Sequence, residues 1–467
     1  MRQQEYESPF SARYASKEMS TLFSSRHRTI LYRKLWLSLA KAEQKLGLEI
    51  TNNQIEQMQQ NLETISFDKI REYEKRFRHD VMAHIHAFGD EAPSAKPILH
   101  LGATSTFVTD NADLIQMKEA LSLLLQKLAL AIRSLSTFAQ KHAGTPCLGY
   151  THYQAAQPTT VGKRACLWLQ DLLMDALEWE RLNQSLPMLG VKGATGTQAS
   201  FLGLFNGEEA KVKQLEELLA RDFGFEKILP IAGQTYTRKI DLQIFHALSS
   251  FAAGAHKMAT DLRLLAHDGE ISEAREETQV GSSAMPYKRN PMLSERICSL
   301  SRFLISLEQN AAHTLSVQWL ERSLDDSANR RISIPEAFLA ADSILNILVP
   351  LIENLEVDQK RIEQRLDEIL PWLAMENLLM AAAKKGKSRQ EVHEKLRIFS
   401  QEGALTAEKI AADPAFGLNR EEATEQFDLN KMIGLAPQQT KEFLSGPVSV
   451  FLARFKHLSL TLPPLEV

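Results

Sequence analysis

Apolar residues recur along this chain at the three- and four-residue intervals of amphipathic helices, while strand-like alternation is sparse. Thr109 and Asp110 read as an N-cap. Behind them Leu121, Leu124, Leu125, Leu128, Ile132 and Leu135 form a wide apolar face that continues to about Gln140. Such a helix is a rod of roughly 45 Å. Comparable segments start near Arg164, Lys239, Pro291 and Ile332, a number and length that suit a helical bundle. Shorter helices are expected over 29–46 and 52–60, and the C-terminal part is punctuated by Gly403, Pro414, Gly417, Gly434 and Pro437. The pattern predicts an all-α chain of three helical domains. Their expected bounds are 1–105, 106–360 for a central long-helix bundle, and 361–467.

The segment 251–259 is rich in small residues, which lets helices approach closely. Several long helices are apolar on more than one side. Either a large monomeric bundle or burial against other subunits accounts for that. With 44% hydrophobic and 24% charged residues in 467, the composition is that of a globular protein with more than one core. The net charge of -4 argues against a general nucleic-acid or membrane-surface binder, so any basic site must be local. Cys147, Cys166 and Cys298 are widely spaced and fit neither a disulfide framework nor a zinc ribbon. The N-terminal stretch is polar, and no run of about 18 apolar residues is apparent, so neither a signal peptide nor a membrane span is expected. The cytosol is the expected compartment.

Within 281–291 lie two adjacent hydroxyls, a glycine, two prolines and the cations Lys288 and Arg289, just ahead of a long helix. Glycine permits close approach to a ligand, and a helix start favours an anion. His152 stands among hydroxyls and amides in 149–160. By itself it reads as a structural histidine, yet its ordinary pKa lets it carry either protonation state near neutrality. His79, His84 and His86 invite a metal reading. On a helix, however, His84 and His86 project about 200° apart, and His79 is five residues from His84, so one-face ligation is poor and a zinc site is not expected. Arg78, His79 and Asp80 suit an anion-orienting cluster better. Thr109 and Asp110 read as caps, leaving Thr104 and Ser105 available to a carboxylate. The adjacent acids Asp325 and Asp326 resemble half of a metal-binding DDxxD pattern, but Asn329 occupies its last position. Arg322, Arg330 and Arg331 are built to meet an anion directly. The glycine strings 190–198 and 233–238 are weak signals individually, and the first lacks the lysine of a phosphate-binding loop.

The string Gly-Ser-Ser-Ala-Met-Pro-Tyr-Lys-Arg-Asn-Pro at 281–291 resembles the signature loop of the fumarase/aspartase superfamily of lyases. The strings at 190–200, 233–239 and 324–331 narrow the likeness to the branch that releases fumarate from succinylated purine nucleotides. It extends from Arg13 and Tyr14 to about Gln401. The resemblance implies a homotetramer whose central helices form one bundle, with each site assembled from three subunits. It implies Ser282 as general base, His152 as general acid, and Lys288 as the cation that supports both the serine alkoxide and the carbanion-like carboxylate. Ser283 is the other candidate for the base. Arg13, Tyr14, Arg322, Ser327 and Arg331 match nucleotide- and phosphate-contacting positions. Arg78, His79, Asp80, Thr104, Ser105, Gln234 and Arg296 match other substrate contacts. Proton transfer suffices for the elimination, so no metal or organic cofactor is expected, and loop 281–290 is expected to close over substrate. Ala155 replaces the proline usual after His-x-Gln, which is expected to loosen the turn around His152. The alternatives are a sister lyase such as one acting on argininosuccinate, an inactive helical scaffold, and a magnesium-dependent prenyl-diphosphate enzyme.

Overall fold

The computed structural model describes residues 6–274, 284–285, 287–402, 405–458, 460 and 462. Five short or medium helices come first: α1 (Lys17–Leu22), α2 (Ser25–Lys45), α3 (Asn52–Gln60), α4 (Phe67–Phe77) and α5 (Asp80–Glu91). The long α6 (Ser105–Lys141) follows, then a hairpin of β1 (Pro146–Thr151) and β2 (Gln154–Thr160), and α7 (Val161–Ser185). Next come α8 (Ala199–Leu204), α9 (Glu209–Asp222), α10 (Lys239–Asp268) and the short strand β3 (Ile271–Glu273). The helices α11 (Met292–Ser316) and α12 (Asp326–Glu353) complete the long set. They are followed by β4 (Leu355–Val357), α13 (Gln359–Lys384), α14 (Arg389–Glu402) and shorter turns of helix. The all-α expectation holds, with two antiparallel two-stranded ladders added: β1 with β2, and β3 with β4.

Helices α6, α7, α10, α11 and α12 pack together as a bundle. By length and composition α6 and α12 could cross a membrane, contrary to the reading that no such run exists. They are instead the inner rods of the bundle, and 83% of the most apolar window of α12 is buried. The largest core runs from Phe10 to Leu373 and takes in Val448 and Phe451, which return from the C-terminal end. A second core surrounds Leu378, Val392, Leu396, Ile410 and Phe416.

The start of α6 corrects the sequence reading. The helix begins at Ser105 behind Thr104, four residues before the expected cap, and its 37 residues reach about 55 Å. Thr109 and Asp110 therefore lie inside its first turns. Asp110 is buried and is occupied by Arg238 rather than by the helix end. Deeper in the bundle, Lys127 on α6 is buried against Asp342 and donates to Asn346 Oδ1 on α12 at 2.7 Å. Asp342 Oδ2 accepts the Ser16 amide at 2.6 Å, and Asn346 donates to the Tyr14 carbonyl at 3.1 Å. This polar hub straps the Arg13–Tyr14 segment across α12.

Glu43 on α2 presents a contrast. Both carboxylate oxygens are buried and accept no hydrogen bond among the described residues. Burial pushes its pKa up to about 8. The unfolded chain ionises Glu43 near pH 4.5, so between that value and about 8 the folded chain holds the extra proton. Stability contributed by the protonated carboxyl is therefore complete below pH 4.5 and is lost progressively as pH rises from there through about 8. Glu43→Gln should remove this dependence. Urea unfolding is expected to show the variant gaining about 2 kcal/mol relative to wild type between pH 5.5 and 7.5.

Candidate active site

A cleft of about 1030 Å³ opens where α2, α5, α6 and the start of α12 meet. One wall is the junction of α4 and α5. There Arg78 ends α4 in the left-handed conformation, φ 54°, a cost for a side chain with a Cβ, and so turns the chain sharply. His79 caps α5, its Nδ1 accepting the Met82 amide at 3.3 Å, which leaves Nε2 facing the Ser105 hydroxyl at 3.5 Å. Asp80 accepts from Arg331 at 2.8 Å. The other two histidines of the triplet take aromatic neighbours: His84 packs edge-on to Tyr32, and His86 stacks on Phe77.

A second wall comes from Gln234 and Arg238, in a turn that the glycine strings hold in place. Gly196 lies so close to the 232–233 backbone that a Cβ would sit 1.8 Å from the Ala232 carbonyl oxygen, and Gly233 meets the Glu321 backbone similarly. Gln234 is held from three sides. Its amide donates to the Glu321 carbonyl at 3.0 Å, its carbonyl accepts from Thr106 at 2.9 Å, and its side chain donates to Ala194 at 3.2 Å. The third wall is the start of α12, with Ser327 and Arg331, and the segment just before it, with Arg322.

Beneath them lies a buried network of arginines and aspartates. Arg238 donates to Asp110 at 2.9 Å and to Asp326 at 2.7 Å, and Asp326 also accepts from Arg322 at 3.3 Å. Arg330 donates to Asp241 at 2.7 Å, pairs with Asp113 at 3.0 Å and meets the Tyr236 hydroxyl, while Arg28 closes on Asp113 from α2. Burial alone would push the Asp113 carboxyl up, but Arg28 and Arg330 hold it below the ordinary carboxylate range. Burial works against the Arg330 charge, yet Asp241, Tyr236 and Asp113 raise its pKa well above the usual value. Four buried carboxylates thus offset Arg28, Arg238, Arg322 and Arg330, and the open part of the cleft keeps Arg78 and Arg331 above that floor. The arrangement is suited to a multiply charged anion.

Of the residues singled out in the sequence, Arg78, His79, Asp80 and Ser105 meet on one side of this cleft, and Gln234, Arg322, Ser327 and Arg331 on the other. Thr104 precedes α6 beside them, its hydroxyl 2.9 Å from that of Thr106. Arg13, Tyr14 and Arg296 form a separate group, with both guanidinium groups 5.8 Å from the Tyr14 ring. His152 is exposed at the tip of the β1–β2 hairpin, outside the cleft. Ala155 pairs with Tyr150 in that ladder. Lys288 is exposed, its amide donating to Met285, and Ser282 and Ser283 lie outside the described residues, as does much of the loop expected to close.

A family profile described as Lyase matches residues 5–303. The adenylosuccinate lyase of Saccharomyces cerevisiae is 49% identical over 97% of this chain and 96% of its own length. The chain belongs to the adenylosuccinate lyase family. The family's Schizosaccharomyces pombe member is 48% identical over 97% of both chains. The solved structure of the 3-carboxy-cis,cis-muconate lactonizing enzyme of Pseudomonas putida superposes with a TM-score of 0.82. It covers 95% of this chain and all of that one at 23% identity, a likeness of fold.

Arg28, Asp113 and Gln116 also line the cleft and were missed in the sequence. They sit inside helices that read as amphipathic. The only available signal was a charge on an otherwise apolar face, as at Asp113. Arg330→Met leaves Asp241 buried without its cation and Asp113 with Arg28 alone, and should cost about 3–5 kcal/mol of stability by urea unfolding at neutral pH. Asp113 has a depressed folded-state pKa, so the wild-type advantage is present above the carboxylate range and shrinks as pH falls through it.

Proposed function

We propose that this chain eliminates fumarate from adenylosuccinate, giving AMP, and from SAICAR, giving AICAR, in purine nucleotide biosynthesis. The observation that carries the reading is a cleft walled by arginines and hydroxyls in a chain of this family. Each substrate bears two carboxylates and a phosphate, and arginine meets both groups with paired N–H donors. Arg322, Ser327 and Arg331, at and just before the start of α12, are the phosphate wall of the proposal, joined by Arg13 and Tyr14 on the nucleotide. Arg78, His79, Asp80, Thr104, Ser105, Gln234 and Arg296 are its remaining substrate contacts.

In this reading Ser282 Oγ, as alkoxide, takes the Cβ proton of the succinyl group. The released electron pair forms the new double bond as the carbon–nitrogen bond breaks, and His152 protonates the departing nitrogen. A serine hydroxyl is too weakly acidic to serve as a base unaided. Lys288 supports its alkoxide and the negative charge that grows on the adjacent carboxylate. Neither a metal nor an organic cofactor is required by these proton transfers.

His152 lies outside the chain's own cleft, so the reading includes a homotetramer in which a hairpin from another copy completes each site. Leu167, Met174 and Leu177 on α7 and Phe303 and Ile305 on α11 are exposed and supply apolar surface for that packing. A cytoplasmic location is part of the same proposal.

Purified protein should release fumarate from adenylosuccinate with chelator present. Ser282→Ala and His152→Ala should each lower kcat by about 10²–10⁴. Mixing the two inactive variants after partial dissociation should restore some activity if sites are shared. Absence of any recovery in mixed tetramers would argue for sites built within one chain.

A further inference from the structure

We propose that the buried carboxylate of Glu270, acting with Tyr150 and Arg365, is a positioning device that aims the hairpin carrying His152. The inference rests on the reading of His152 as proton donor and deepens it. The turn itself is poorly suited to hold a fixed direction. His152 and Tyr153 both adopt left-handed backbone angles, φ 53° and 55°, in a two-residue turn that ordinarily takes asparagine and glycine. Both are exposed, and the one ring contact at the tip, Tyr153 on Tyr150 at 5.9 Å, leads back to the stem. The hairpin must be held from its stem.

The stem is braced at several points. Tyr150, two residues before His152, donates its hydroxyl to Glu270 Oε1 at 3.0 Å. Arg365 on α13 donates to the same hydroxyl at 3.0 Å, and its Nε lies 3.2 Å from the same carboxylate oxygen. Arg164 on α7 stands 5.9 Å from the Tyr150 ring centre, 3.7 Å from Glu270 Oε2, and donates to the Leu148 carbonyl. On the other strand Gln157 donates to Glu376, also on α13. Between these braces the ladder is bulged at Gly149, where a Cβ would come 2.5 Å from the Gln157 carbonyl oxygen.

Glu270 is itself immobilised. Its amide donates to the Leu265 carbonyl at 3.0 Å, and its carbonyl accepts the Asp358 amide at 3.0 Å. It immediately precedes β3, whose chain leads on toward the signature segment at 281–291. One carboxylate of 1% side-chain exposure therefore ties together the His152 hairpin, β3 and α13. Glu270, Tyr150 and Arg365 need not touch substrate. They act through the direction of the hairpin.

The test is a double-mutant cycle on the full-length enzyme with adenylosuccinate: Tyr150→Phe, His152→Ala and both together. Tyr150→Phe should lower kcat about 10-fold or more, because a small displacement of a proton donor is costly, while KM stays within about twofold. In the His152→Ala background the same change should cost nothing further, since the brace acts only through His152. Glu270→Gln, which keeps the shape, and Arg365→Lys should repeat this pattern if Tyr150→Phe yields too little folded protein. An equal loss in both backgrounds, or a rise in KM matching the fall in kcat, would overturn the inference. If His152→Ala keeps wild-type kcat, the assignment of His152 itself fails. If His152→Ala is impaired and Tyr150→Phe is not, the brace alone fails.

Discussion

The aspartate–arginine network beneath the cleft is the interaction on which the rest depends. It joins residues from α2, α6, α10, the start of α12 and the 233–238 turn: Arg28, Asp110, Asp113, Arg238, Asp241, Asp326 and Arg330. Taking so many charges out of water is unfavourable unless each finds partners of the opposite sign and good geometry. Here the carboxylates bridge: Asp113 serves Arg28 and Arg330, and Asp326 serves Arg238 and Arg322. No helix of the set can shift without uncovering a charge. The network is thus a rigid, nearly neutral floor.

Above that floor Arg331 is paired with Asp80, and Arg78 adds a further positive charge. Arg322 reaches from the network into the cleft, while Arg78 and Arg331 stand at its more open edge. Anion-binding side chains are effective when held in place before the ligand arrives, because ordering them does not then draw on binding energy. The glycine contacts at Gly196 and Gly233 serve the same end. They let two backbone segments touch, and so fix Gln234 through its main chain.

In the proposed mechanism the chain separates binding from proton transfer. Groups suited to holding an anion converge in one cleft, whereas His152 projects on a strained hairpin outside it and Lys288 lies in an exposed segment. In the proposed tetramer the missing groups arrive from other copies. The direction of each projection then matters as much as the identity of the residue at its tip. The braces on Tyr150 give a polar and exposed hairpin the fixed bearing that apolar packing cannot supply.

Helical class, the long rods and the run of Arg78, His79 and Asp80 were legible in the sequence because they depend on local spacing. Apolar residues at helical intervals specify a helix almost regardless of what it packs against, as with Leu121 to Leu135. The signature string and the arginines near 322–331 marked anion chemistry through residue type alone. Local reading misplaced the start of α6, because Asp110 looks like a cap until Arg238, far along the chain, is seen to occupy it. It missed the β1–β2 hairpin, whose prolines, glycine and polar residues show no alternation, and it missed Arg28 and Asp113 inside helices. Which charges face one another, which weak glycine strings touch, and which way His152 points are decided by contacts between residues distant in sequence. Only the tertiary structure brings those partners within the few ångströms over which hydrogen bonds and ion pairs act.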